Sequence, residues 1–318
     1  MQSDGSLVVV LGTGGTIAGR AASAQDNVGY RAGELSVQAL LDAVPALRGQ
    51  AIEAEQVAQI DSKDMSVAVW QALAQRVAAH LARPGVAGVV VTHGTDTLEE
   101  TAYFLHRVLA PSRPVVLTAA MRPTSSIQAD GPQNLLDAVT VARSPGAQGV
   151  MAVIAGQVFH PADLRKVHTY RLDAFAPGDG ALLGRVEEGV LRLFRDWPRT
   201  EALGLEVLAP APAAWPCVEI VLNHAGADGR VVDALLAVGV DGLVLAGTGN
   251  GTLSDRLLAA ATRAQAAGVR LLLASRCAAG PVLATAGGLP RAGSLSAVQA
   301  RVELLLQLLS DRRSAPAA

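Results

Sequence analysis

Apolar runs of strand length recur along the chain, separated by segments whose apolar positions return every three or four residues. The runs at 6–11 (SLVVVL), 86–92 (VAGVVVT), 114–118 (PVVLT) and 149–154 (GVMAVI) are continuous rather than alternating. That is the pattern of strands buried on both faces. Helical periodicity occupies 36–44, 66–82, 97–109 and 134–143. The alternation predicts an α/β fold: a larger N-terminal domain (1–196) with a mostly parallel sheet flanked by helices. Residues 181–194, which include GRVEEGVLRLF, read as a hairpin closing that domain. A linker is assigned to 197–213, and the Pro/Ala-rich APAPAAWP at 209–216 is expected to run extended. The pattern then resumes with strands 217–222, 242–246 and 270–274, helices 230–238 and 254–267, and a last helix from about 296. These form a smaller C-terminal α/β domain over 214–318.

Hydrophobic residues make up 50% of the 318-residue chain, yet no apolar run approaches the roughly 18 residues needed to cross a bilayer. The start, Met1-Gln-Ser-Asp-Gly, lacks a basic segment followed by an apolar core, so a cytoplasmic location is expected. A leader already removed would leave the periplasm open. The net charge of −2 speaks against nucleic-acid or anionic-membrane partners. Cys217 and Cys277 form no metal motif and read as two buried thiols. The basic residues carry more information. Of 26, 24 are arginine, and only Lys63 and Lys166 are lysine. Codon bias explains such a count; so does a need for an amine, which can lose its proton where guanidinium cannot.

The stretch VVVLGTGGTIAG (8–19) ends a strand in glycines and threonines. A dinucleotide fingerprint would need a third glycine where Ile17 stands and an acid about 20 residues on. A phosphate loop would need Lys-Ser/Thr where Arg20-Ala21 follow. What remains is a turn that exposes Thr13 and Thr16 at the carboxyl edge of a parallel sheet, where ligands bind in open α/β folds. Taken alone, threonines capping a turn explain it equally well. A second strand repeats the design: VVVTHGTDTLEETAYFL (89–105) carries Thr92, a turn, Thr95-Asp96 and then a helix. Thr97 and Glu100 have capping-box spacing, so that helix should start there, with Asp96 beside its positive end.

TGGTIAG (13–19) and THGTDTLEETAYFL (92–105) resemble the two signature segments of the bacterial-type L-asparaginases. The likeness extends through IDSKDM (60–65), PVVLTAAMRP (114–123), ADGPQNLLDAV (129–139), LRKVHT (164–169) and GLVLAGTGNGTL (242–253), essentially the whole chain. The resemblance implies hydrolysis of the asparagine side-chain amide to aspartate and ammonia, with no cofactor or metal, in a homotetramer. It implies Thr16 as nucleophile, Thr95 as second catalytic threonine and Lys166 as the lysine of the base relay. Asp96 would hold the substrate's α-ammonium and Ser62 its α-carboxylate. Tyr30 would sit on a closing loop, and the backbone at Ala120 would contact the amide. Two departures stand out. Lys63 replaces the family's usual glutamine, and either adds charge near the α-carboxylate or points to solvent. The segment 275–296 holds no Asp or Glu where longer members carry an acid, so Asn250 or Thr252 would have to take over that contact.

The residue types fit this chemistry. An amide is a poor electrophile, and an acyl intermediate splits its hydrolysis into two easier steps. A threonine hydroxyl needs its proton removed, and no GxSxG motif is present. Lys166 serves as base if its pKa falls from about 10.4 toward 7–8, or acts as a charged group if Asp96 holds it protonated. Backbone N–H groups of the turns would hold the oxyanion. The rival readings are a dual glutaminase-asparaginase and, in another class, a non-catalytic amino-acid sensor. The sensor has no need of Thr16, Thr95 and Lys166 together.

Overall fold

The computed structural model describes residues 6–284 and 288–314. The reading of Met1–Gly5 therefore lies outside the described residues. Two compact units divide the chain, Met1–Leu205 and Glu206–Ala318.

In the first unit, strands β1 (Leu7–Gly14), β2 (Ile52–Ile60), β3 (Val86–Thr92), β4 (Pro114–Thr118) and β5 (Gly149–Ile154) pair in parallel. Three further strands extend the sheet: β6 (Gln157–Phe159), β9 (Gly184–Glu187) and β10 (Val190–Leu193), all antiparallel. The spatial order is β10-β9-β6-β5-β4-β3-β1-β2. A separate two-residue ribbon pairs β7 (Arg165–Lys166) with β8 (Phe175–Ala176).

The continuous apolar strands have the predicted double burial. Val8 and Val10 face a core shared with Val90, Val116, Met151 and Val153, closed by α1 (Val37–Asp42) and α4 (Gly131–Ala142). Val9, Leu11, Val89, Val91, Val115 and Leu117 point the other way and are also fully buried. On that side α2 (Val67–Leu81) packs on β3 and α3 (Leu98–Leu109) on β5. Strand β2 escapes the sequence pattern because it is an edge strand and alternates, with Glu53 and Glu55 paired to Arg83 and Arg76. From β1 the chain moves to β2 on one side and returns to β3 on the other. The carboxyl ends of β1 and β3 thus flank a topological switch point, where open α/β sheets place ligands.

The second unit is a three-stranded parallel sheet, β11 (Val218–Leu222), β12 (Gly242–Gly247) and β13 (Arg270–Ser275), in that order. Helices α5 (Arg230–Val238), α6 (Asp255–Ala266) and α7 (Ala297–Ser314) accompany it. Its core joins Val221, Val232, Leu243, Leu245, Leu257 and Ala260. The expected extended APAPAAWP segment is instead partly coiled. A 3-10 turn covers Pro212–Ala214, and the Trp215 indole donates back to the Pro210 carbonyl at 3.0 Å. Proline at the first position of such a turn loses no hydrogen bond. Cys217 and Cys277 are free thiols, but both are exposed rather than buried. Among the described residues no helix is long and apolar enough to cross a membrane.

Candidate active site

Strand β1 runs out into Gly14 and Gly15, both with left-handed φ of 101° and 80°. The positions need glycine for space as well. A Cβ on Gly15 would lie 2.3 Å from the backbone of Gly94, and one on Gly94 would meet Ser62 Oγ at 2.3 Å. The loops after β1 and β3 therefore touch backbone to backbone, and the Ser62 side chain of the loop after β2 packs against Gly94. The Gly15 N–H also donates to the Ile60 carbonyl at 2.8 Å. Glycine serves here to bring three turns together, which accounts for a glycine-rich stretch that holds no phosphate motif.

A threonine follows each glycine of that contact, Thr16 after Gly15 and Thr95 after Gly94. Thr16 opens a 3-10 turn and is only 7% exposed. Its hydroxyl lies 2.6 Å from Tyr30 Oη. The segment bearing Tyr30 is strapped across this turn by paired Arg20–Arg31 backbone bonds, by Gly33 N–H to Gly15 and by Leu35 N–H to Ala18. Thr13, expected at the exposed edge, is buried; it donates to the Thr92 carbonyl at 2.9 Å and stitches β1 to β3. Its role is structural.

After β3, Thr95 Oγ1 accepts from Lys166 Nζ at 2.8 Å, and the same ammonium donates to Asp96 Oδ1 at 2.5 Å. Helix α3 begins after Thr97 as predicted, but the capping box does not form. Thr97 Oγ1 donates instead to the Ser62 carbonyl at 2.8 Å, while the Asp96 N–H donates to Ser62 Oγ at 3.2 Å. Ser62 is thereby locked beside Asp96, with its own hydroxyl proton directed elsewhere. Asp96 keeps its side chain half exposed, at 53%, against 20% for Lys166. Asp96, Lys166, Val167, His168 and Thr169 line an open cleft of about 390 Å³.

Several shaping residues lay beyond the sequence reading. His93 is fully buried between Gly94, whose carbonyl meets Nδ1 at 2.7 Å, and Thr101, whose hydroxyl meets Nε2 at 2.9 Å. The Trp70 indole donates to the same Thr101 oxygen at 2.8 Å. An indole only donates, so Thr101 directs its proton to Nε2, and His93 is a neutral ring donating from Nδ1. Burial agrees, pushing its pKa down to about 4. Asp130 does the same service for the turn after β4, accepting the N–H groups of Met121 and Arg122 at 3.0 and 2.9 Å. Burial raises this carboxyl above its ordinary value. Ala120, in that turn, is buried in the core that includes Ile17, the neighbour of Thr16. ADGPQN was visible in the sequence; that its aspartate braces Ala120's turn was not.

Thr16 and Tyr30, Ser62 and Asp96, and Thr95, Asp96 and Lys166 thus form linked groups around the Gly15–Gly94 contact. Lys63 stands apart: its ammonium meets Asp61 at 2.6 Å and Asp64 at 3.4 Å and is 62% exposed. Of its two readings, the side chain follows the solvent-facing one. Asn250 belongs to the second unit, where its Oδ1 accepts the Leu283 N–H at 2.6 Å. The acid-free segment 275–296 is described except for residues 285–287.

A family model described as "Asparaginase, N-terminal" matches residues 7–199, and "Glutaminase/Asparaginase C-terminal domain" matches 217–316. The chain belongs to the asparaginase family. It is 36% identical to L-asparaginase 2 of Escherichia coli (strain K12), over 96% of this chain and 89% of that protein. It is equally 36% identical to a glutaminase-asparaginase of Pseudomonas fluorescens biotype A, over 86% and 76%. A solved structure of a probable cytoplasmic L-asparaginase from Campylobacter jejuni superposes with a TM-score of 0.91 at 35% identity, covering 97% of each chain. As a member of the asparaginase family the chain is an amidohydrolase, and the mostly parallel sheet with a smaller α/β unit is that family's two-domain arrangement.

Proposed function

We propose that the chain is an L-asparaginase that hydrolyses L-asparagine to L-aspartate and ammonia through an ester on Thr16. The observation that carries this reading is the pair of hydroxyl-bearing turns held together at one sheet edge. One presents Thr16 against Tyr30, the other Thr95 against Lys166. Thr16 Oγ1 attacks the amide carbon, the C–N bond breaks, and the hydroxyl proton leaves with ammonia. Tyr30 Oη, at 2.6 Å, is the neighbour through which that proton passes. Water then attacks the ester carbonyl beside Thr95, the acyl–Oγ1 bond breaks to release aspartate, and a proton of that water restores the Thr16 hydroxyl. The 2.5 Å pairing with Asp96 supports Lys166 acting as a charged donor to Thr95 rather than as the base. Asp96, half exposed, takes the substrate's α-ammonium, and the free hydroxyl proton of Ser62 its α-carboxylate. The Ala120 backbone contacts the amide. No step requires a cofactor or metal.

Asparagine is the preferred substrate. Glutamine is one methylene longer, and such a difference is worth about 1–3 kcal/mol in a pocket. The relative named glutaminase-asparaginase favours a second reading, a dual enzyme. A homotetramer in the cytoplasm completes the proposal; light scattering measures the first, and the name of the Campylobacter relative supports the second.

The test is ammonia release from asparagine and glutamine side by side, with Thr16→Ala as control. We expect a kcat/KM ratio of about 10–200 in favour of asparagine, and a loss of about 10³-fold or more in the folded variant. Equal specificity constants would establish the dual enzyme. Near-normal turnover by Thr16→Ala would overturn the nucleophile.

A further inference from the structure

Lys166 lies on a two-residue strand whose ladder partners, among the described residues, are Phe175 and Ala176 of an equally short neighbour. A long, flexible side chain on so short a strand has little to fix its reach. Yet its ammonium must meet two acceptors, Thr95 and Asp96, in the turn that leads into another element. That element, α3, supplies a second contact. Glu99, in its first turn, accepts the main-chain N–H of Lys166. The other carboxyl oxygen, Oε2, is buried without a hydrogen-bond partner among the described residues. The segment 95–99 thus meets Lys166 at both ends, by its backbone and by its ammonium.

We propose that Glu99 is a positioning residue for amide hydrolysis, fixing the main-chain point from which Lys166 reaches Thr95 and Asp96. The inference rests on the reading that Lys166 and Thr95 serve catalysis. Glu99 does not touch the reacting atoms. The charged groups facing it are Arg165 and Lys166 on β7 and Glu100 on its own helix. Burial pushes its carboxyl up to about 7, against the pull of Arg165 and of the Lys166 N–H and ammonium. Its charge therefore changes within the neutral range. As pH rises through about 7 the carboxylate forms, and its bond to the Lys166 N–H becomes charge-assisted and stronger. Turnover should rise with it.

The experiment is the pH profile of kcat and kcat/KM on asparagine for the full chain, Glu99→Gln and Glu99→Ala, with thermal melts alongside. The unsubstituted chain should show an inflection near pH 7. Glu99→Gln keeps an acceptor oxygen but cannot ionise, so the inflection should vanish while turnover persists. Glu99→Ala removes the acceptor and should lower kcat on the order of 10–100-fold, as small misplacements of catalytic groups do, with KM changed less. A folded Glu99→Ala with unchanged kcat, or a Glu99→Gln profile superimposing on the parent, overturns the proposal. If Glu99→Ala does not fold, the Glu99→Gln profile alone decides. An inactive Thr16→Ala beside unaffected Glu99 variants would sink this inference only, whereas an active Thr16→Ala would sink the reading beneath it.

Discussion

The chain's two lysines occupy opposite settings. Lys63 has its ammonium in solvent between Asp61 and Asp64, where a cation of either kind serves. Lys166 is mostly buried and divides its ammonium between Thr95 Oγ1 and Asp96 Oδ1. Its neighbour Arg165 shows that arginine is used in the same strand for a different purpose, donating to the carbonyls of Ala162 and Leu164. A guanidinium at 166 would keep the charge, but its planar fork is larger and its donors diverge. Lys166→Arg should therefore fold and lose turnover by about 10²-fold or more, with asparagine binding less affected. Lys63→Arg should stay within about twofold, because an exposed pair contributes little. Steady-state kinetics on both variants check this. A fully active Lys166→Arg would reduce the two-lysine count to codon usage.

At the scale of elements, the site depends on how closely three turns approach. Gly15 combines a left-handed φ with a backbone neighbour where a Cβ would stand. Gly15→Ala should cost at least about 2 kcal/mol from strain and overpacking together. It should also part Thr16 from Thr95. A thermal melt paired with an ammonia assay measures both effects, and a variant of parental stability would show that the turns do not need the contact. Much of this level was legible beforehand. Strands β3, β4 and β5 and helix α5 match the expected bounds, because continuous apolar runs and punctuating glycines mark them unambiguously. Edge strand β2 was not legible, since it buries too little to leave an apolar run. The misread residues were polar side chains whose partners are distant in sequence. Thr13 is claimed by Thr92 and Thr97 by Ser62, contacts that the fold creates and local spacing cannot announce. His93 and Asp130 were passed over for the same reason: each braces a turn and touches no substrate-like group, so no motif advertises it.

At the scale of the whole molecule, two of the buried titrations, those of His93 and Glu99, oppose each other. His93 is pushed down to about 4 from an ordinary 6.5, so the folded chain binds fewer protons there, and stability is lost as pH falls from about 6.5 to 4. Glu99 is pushed up to about 7 from 4.5, so the folded chain binds more protons, and stability is lost as pH rises from about 4.5 through 7. Between roughly pH 4.5 and 6.5 the two slopes offset. Glu99→Gln removes only the second. Its stability relative to the parent should rise between pH 4.5 and 7, by up to about 3 kcal/mol, in denaturant melts across that range. A difference independent of pH would mean that Glu99 titrates normally in the folded chain.

The proposed reaction turns on one atom, Thr16 Oγ1. The most direct measurement is rapid acid quenching of enzyme during asparagine turnover, followed by mass spectrometry of its peptides. The account predicts an aspartyl ester on the peptide that contains Thr16, absent from Thr16→Ala. An ester on Thr95, or one that persists in Thr16→Ala, would contradict it.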